Sequence, residues 1–157
     1  MDRLSAYGIR VGVPSGWEAE LSLQQDPSML DADLAPSDRQ LVVMHAANFW
    51  MPVSRSDYGS EALQVMGRNG IFIALIEFDD SAARSRLFEH RSLPAALHPD
   101  DFGPAQLQRP MRGQAGLQRF FRVGRRAFCL HIVIGSYTDR HTLTSDVNRI
   151  LSELTIE

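Results

Sequence analysis

Two stretches, "LVVMHAANF" (41–49) and "IFIALIEF" (71–78), are almost unbroken apolar runs. Strands with one wet face alternate apolar and polar residues, whereas strands covered on both faces need not. These runs therefore predict two central strands of a sheet that is packed on both sides. A chain of 157 residues has room for one such core and not for two ordinary domains. Residues 1–157 read as a single globular domain.

The flanking patterns are different. In "YGIRVGVPSGWEAELSLQ" (7–24), Ile9, Val11 and Val13 alternate with glycine and arginine, then Pro14-Ser15-Gly16 interrupts, and alternation resumes through Trp17, Ala19, Leu21 and Leu23. Proline presets the turn and glycine can close it, so a β-hairpin is expected. Residues 24–39 carry acids and prolines without a period and read as a surface loop. "SEALQVMG" (60–67), with Ser60 as N-cap and Gly67 as stop, and "DDSAARSRLFEH" (79–90), capped by Asp80 or Ser81, read as short helices. Residues 92–116 hold four of the eight prolines and form the long irregular segment, the kind of place where binding residues gather. The clearest helix is 138–153, where Leu143, Val147, Ile150, Leu151 and Leu154 fall on one stripe. The order of elements predicts an α+β fold, a central mostly antiparallel sheet flanked by helices as an α/β/α sandwich.

"GLQRFFRVGRRAFCLHIVIG" (116–135) reads as a hairpin turning at Gly124-Arg125, with glycine first in a primed turn. That register pairs Val123 with Arg126, Phe121 with Phe128, Arg119 with Leu130 and Leu117 with Ile132. One face is chiefly core. The other sets Gln118, Phe120 and Arg122 opposite His131, Cys129 and Ala127. Cys129 and His131 share that face, but their apolar neighbours point to a buried structural thiol in preference to a nucleophile, which needs an electropositive, accessible setting.

Charge is segregated. All 16 basic residues are arginines, as a G+C-rich bacterial genome favours. From 103 to 138 there are six arginines and no acid, a local +6 against −9 for the rest of a chain whose net charge is −3. Clustered guanidinium groups suit carboxylate or phosphate recognition. Arg109, Arg112, Arg122, Arg125 and Arg126 are therefore the candidate binding residues for an acidic protein surface or a small anion, although pairing with the chain's own acids would explain the same pattern. A net-negative chain argues against nucleic acid as the main partner. "NFWMPVSRSDYG" (48–59) puts Trp50 and Tyr58 in a loop; exposed, they would form a contact surface, and otherwise they seal the core.

Several chemistries lack their signatures. There is no Walker-type loop, Gly-x-Gly-x-x-Gly or Gly-x-Ser-x-Gly motif, and "MGRNGIF" runs from turn into strand, whereas phosphate cradles run from strand into helix. Glu77, Asp79, Asp80, Asp100 and Asp101 with His90 and His98 lack a metal-ligand spacing, so no metal and no cofactor are expected. No window is apolar enough for a membrane-spanning helix, and the single cysteine with no signal-like start predicts a cytoplasmic protein.

The opening "YGIRVGVPSGW" and the closing "GRRAFCLHIVIGSY…VNRILSEL" together resemble the PsbP-like superfamily, through a strand running into a Pro-x-Gly-Trp turn and a final hairpin followed by an amphipathic helix. The resemblance covers the two ends and the strand order. It implies an antiparallel sheet sandwiched between helices and used mainly as a non-catalytic binding or adaptor module, with no catalytic residue to carry over. The expectation is a non-enzymatic module that contacts another protein. A homodimer through an uncovered sheet face or edge is the companion expectation. The alternative is a small enzyme on an anionic substrate with His98, His131 or Asp101 as acid or base, which requires these groups to line one pocket.

Overall fold

The computed structural model describes residues 1–24, 41–94 and 96–157. Among them the chain forms eight strands: β1 (Asp2–Ala6), β2 (Ile9–Val13), β3 (Glu18–Leu23), β4 (Val42–Ala47), β5 (Ile71–Phe78), β6 (Ala115–Val123), β7 (Arg126–Ile134) and β8 (Leu154–Ile156). Helices α1 (Ser60–Val65) and α2 (Arg140–Leu151) complete the regular structure, with four single turns of 3-10 helix between β5 and β6. The strands form two antiparallel sheets, ordered β1-β2-β8 and β3-β4-β5-β7-β6. The two apolar runs are β4 and β5, side by side in the larger sheet and buried almost throughout.

A sheet flanked by helices is not what forms, and the α/β/α expectation is overturned. The described residues are mostly β, with one helix longer than two turns among them. The segment 79–90 fails to become a helix because the Asp79 carboxylate accepts from the Ser81 and Ala82 amides, and Ser85 is extended, which leaves two isolated 3-10 turns. Ser81 stands at the N-cap of the first turn, one of the two expected positions, but its side chain makes no capping bond there; the Asp79 carboxylate takes the amides. Helix α1 is only six residues long; Gly59 is its N-cap and Met66 is already extended, so neither Ser60 nor Gly67 plays the expected part.

The second correction is topological. β2 and β3 flank the predicted Pro14-Ser15-Gly16 turn but do not pair with each other. β2 lies between β1 and β8, and β3 pairs with β4, so the turn is a corner at which the chain leaves one sheet for the other. The pairing strand for β2 is β1, joined to it through Tyr7-Gly8, both at positive φ. At the other end, Leu154 belongs to β8 and not to the helical stripe. Most of the expected loop 24–39 lies outside the described residues.

Both faces of the five-stranded sheet are covered by the chain itself. On the first, Met44, Ile73, Leu75, Phe121, Phe128, Leu130 and Ile132 pack with Ile9 and Val11 of β2 and with Leu143, Val147, Ile150 and Leu151 of α2. On the second, Ala47, Phe72, Ala74, Ile76 and Val133 lie under Met51, Ala62, Leu63 and Met66. Ala127 lies under Ala83 and Phe88. The β6–β7 hairpin has the expected register residue for residue, and at its tip only Gly124 of the two turn residues has positive φ.

Candidate functional site: the Trp50 cleft and the buried row behind it

The segment 48–59 crosses the second face of the sheet and is tied to it by one buried network. At one level across the strands, Glu20, His45, Ala74, His131 and Gln118 are register partners, a largely polar row in an otherwise apolar face. His45 Nε2 donates to the Asp57 carbonyl at 2.7 Å, and its Nδ1 accepts from Arg55 Nε at 3.0 Å. Those two bonds define a neutral imidazole with its proton on Nε2. Burial, opposed by the Asp57 carbonyl and aided by the Arg55 charge, holds the His45 pKa below its ordinary value. Arg55, with its side chain only 7% exposed, also bonds the Pro52 carbonyl and reaches Glu20 at 3.1 Å. A buried guanidinium fixes the loop from three directions.

Farther along the row, Tyr58 meets His131 edge-on with ring centroids 5.6 Å apart and stands beside the Cys129 thiol. Cys129 is fully buried, as its apolar neighbours in the sequence suggested, and so is His131. Desolvation pushes the thiol up to about 11 and the imidazole down to about 4, with the Tyr58 hydroxyl and the Leu117 backbone acting in the opposite senses. At neutral pH the thiol is protonated and the histidine is neutral, a poor setting for nucleophilic chemistry. Among the described residues neither His131 nitrogen has a hydrogen-bond partner of normal geometry.

Held this way, the loop presents Trp50 and Val53 to solvent, 83% and 96% exposed. Beside them runs a cleft of about 530 Å³ between β1 and β3, lined by Leu4, Val13, Trp17 and Ala19 with Asp2, Arg3, Glu18 and Glu20 at its polar positions. β1 and β3 are edge strands of different sheets, and among the described residues neither has a ladder partner on its outer side. Glu18 turns its carboxylate to the Met51 amide at 3.0 Å, which joins the loop to the wall of the cleft.

The arginine-rich segment is dispersed. Arg126 forms a buried bidentate pair with Glu77, Nε to Oε2 at 2.9 Å and Nη2 to Oε1 at 3.2 Å, lies over the Phe128 ring, and donates to the Tyr7 and Glu157 carbonyls. It is a brace between the two sheets. Arg122 donates to the Ala83 carbonyl and Arg119 pairs with Asp101 at 3.5 Å, so three of the six arginines are engaged internally. Arg125 stands exposed at the hairpin tip, Arg109 lines a small apolar pocket with Tyr58, and Arg112 lines a separate pocket with Arg68. These charges do not form one patch with Trp50.

The histidines and acids are scattered as well. His131 faces the second side of the sheet, whereas His98 and Asp101 cap each other on a 3-10 turn beside α2, on the first side. Glu77 is taken up by Arg126, and Asp100 pairs with Arg140. Among the described residues no three His, Cys, Asp or Glu side chains group as a metal shell, and no helix is long and apolar enough to cross a membrane.

The exposure of Trp50 and Val53 has no signature in the sequence, since a loop of Phe, Trp, Met and Pro is equally suited to sealing a core. A signal for His45 was present, as a lone histidine inside an apolar strand. No protein-family model, curated protein or solved structure matches the chain. Nothing in these comparisons bears on the PsbP-like resemblance.

Proposed function

We propose that this chain is a non-enzymatic binding module that takes an extended segment of a partner protein into the β1–β3 cleft. The observation that carries the reading is the juxtaposition of Trp50 and Val53 with two strand edges that have no ladder partner among the described residues. Edge strands offer backbone donors and acceptors to an incoming strand, and an exposed tryptophan beside them supplies an anchor. The cleft's polar positions hold three carboxylates against Arg3 and the Glu20-paired Arg55, so a segment with apolar and basic residues is favoured over the acidic partner that the arginines alone suggested. The PsbP-like resemblance, with its mainly non-catalytic relatives, agrees with this role. We place the module in the cytoplasm, where a lone thiol needs no partner.

Panning a library of short random peptides on the full chain tests the reading. Selected peptides should be apolar and basic, lose binding when alternate backbone amides are N-methylated, and bind Trp50→Ala roughly 30-fold more weakly, the factor for an anchor worth about 2 kcal/mol. Failure to select any peptide, or equal binding by wild type and Trp50→Ala, overturns it.

A further inference from the structure

A second pocket, of about 400 Å³, lies away from the cleft where three chain segments meet: the turn after α1, the loop before β6, and the link from β7 to α2. Close backbone approach shapes it. The Gly135 amide donates to the Gly70 carbonyl at 2.8 Å, and a Cβ at Gly135 would lie 2.0 Å from the Gly67 carbonyl oxygen, so only glycine lets the turn close against the strand end. Two arginines stand in its wall. Arg68 gives its Nε edge to Asp139 at 2.8 Å, which leaves the Nη edge of the guanidinium for another acceptor. Arg112 is exposed, and no acid pairs with it among the described residues.

The remaining polar groups add an unusual demand. Gln114 lines the same pocket and is 5% exposed; its Nε2 donates to the Leu63 carbonyl at 3.0 Å, which fixes the amide orientation, and its Oε1 is buried with no partner among the described residues. An orphaned buried acceptor is costly to a fold unless something donates to it. Ser136 Oγ accepts from the Asp139 amide, so its own proton is available to an acceptor. Two guanidinium groups and a hydroxyl call for an anion, while Gln114 Oε1 calls for a donor next to it.

We propose that this pocket binds a small organic acid whose carboxylate lies between Arg68 and Arg112 and whose adjacent hydroxyl donates to Gln114 Oε1. Isothermal titration of the full chain with L-malate, and with succinate as the analogue lacking the hydroxyl, tests it. Malate should bind saturably, succinate roughly tenfold more weakly, and Arg112→Gln should weaken malate by roughly tenfold with an unchanged melting temperature. Gln114→Met should bring malate and succinate to equal affinity; if that variant does not fold, the wild-type preference and Arg112→Gln decide alone. No saturable binding of malate, equal binding of malate and succinate by wild type, or full affinity in Arg112→Gln overturns the proposal. A loss of peptide binding in Trp50→Ala that leaves malate binding intact would show that the two sites are separate.

Discussion

The two faces of the five-stranded sheet are built from the same strands and hold together differently. The first is apolar from Met44 to Leu130 and is closed by α2 and the small sheet, with the Glu77–Arg126 pair at its end. The second carries a polar row and is closed by loop and single helical turns, so hydrogen bonds from His45 and Arg55, with the edge-on contact of Tyr58 on His131, do there what side-chain interlocking does on the first. Apolar packing needs only volume and shape. A polar cover needs particular protonation states, which makes the second face the one that responds to pH.

Adjacent residues on β7 give the sharpest contrast. Phe128→Ala removes a fully buried ring stacked on Phe121 at 5.5 Å and should cost about 4 kcal/mol in urea denaturation, whereas Cys129→Ala, one residue on and facing the other way, should cost about 1 kcal/mol. Equal losses would erase the distinction between the faces. Next in size is Glu77→Leu, which leaves Arg126 partly buried without its carboxylate and should cost about 3 kcal/mol; the double variant with Arg126→Met should recover part of it. The third prediction concerns acid. His131 has a depressed folded pKa, so below about 6.5 the unfolded chain takes up a proton that the native chain refuses; stability should fall by about 3 kcal/mol as pH drops from 6.5 to about 4. His131→Leu should flatten that slope in pH-dependent melts.

A smaller effect is expected from Arg55→Gln, about 1–2 kcal/mol from lost hydrogen bonds, together with faster amide exchange through 50–58. Removal of the nearby cation should also move the His45 pKa upward, readable by NMR titration. Smallest is Trp50→Ala, within about 0.5 kcal/mol of wild type in stability, because so exposed a side chain has little packing to lose. Its effect should fall on binding alone.

Local pattern was a good guide where neighbouring residues decide the outcome. The unbroken runs at 41–49 and 71–78 marked the buried strands, and a glycine-first turn set the β6–β7 register to the residue. Pairing between distant segments was not legible. Nothing in Ile9–Val13 says that its partners are residues 2–6 and 154–156 and not the strand just across Pro14-Ser15-Gly16, because alternation identifies a strand without identifying its neighbour. The missing helices have a similar cause: Asp79 competes locally for the amides a helix would use, and propensity alone does not weigh that bond. For the site, charge counting located the arginines but not their fate. Arg126 and Arg112 look alike in sequence, and only the placement of Glu77 and of the Gly135 turn separates a brace from a pocket wall.

The sheet order β1-β2-β8 also sets a timetable. One edge of β2 can be satisfied by β1 within a few residues of chain, but the other waits for β8, and the contact of Arg126 with the Glu157 carbonyl waits with it. A ribosome emitting this chain would hold an early hairpin with an open edge until the last described strand emerged, and an open edge in a crowded cell is where unwanted strand pairing starts. Truncations that remove residues 154–157 should therefore be recovered as aggregate more readily than their small lost area suggests.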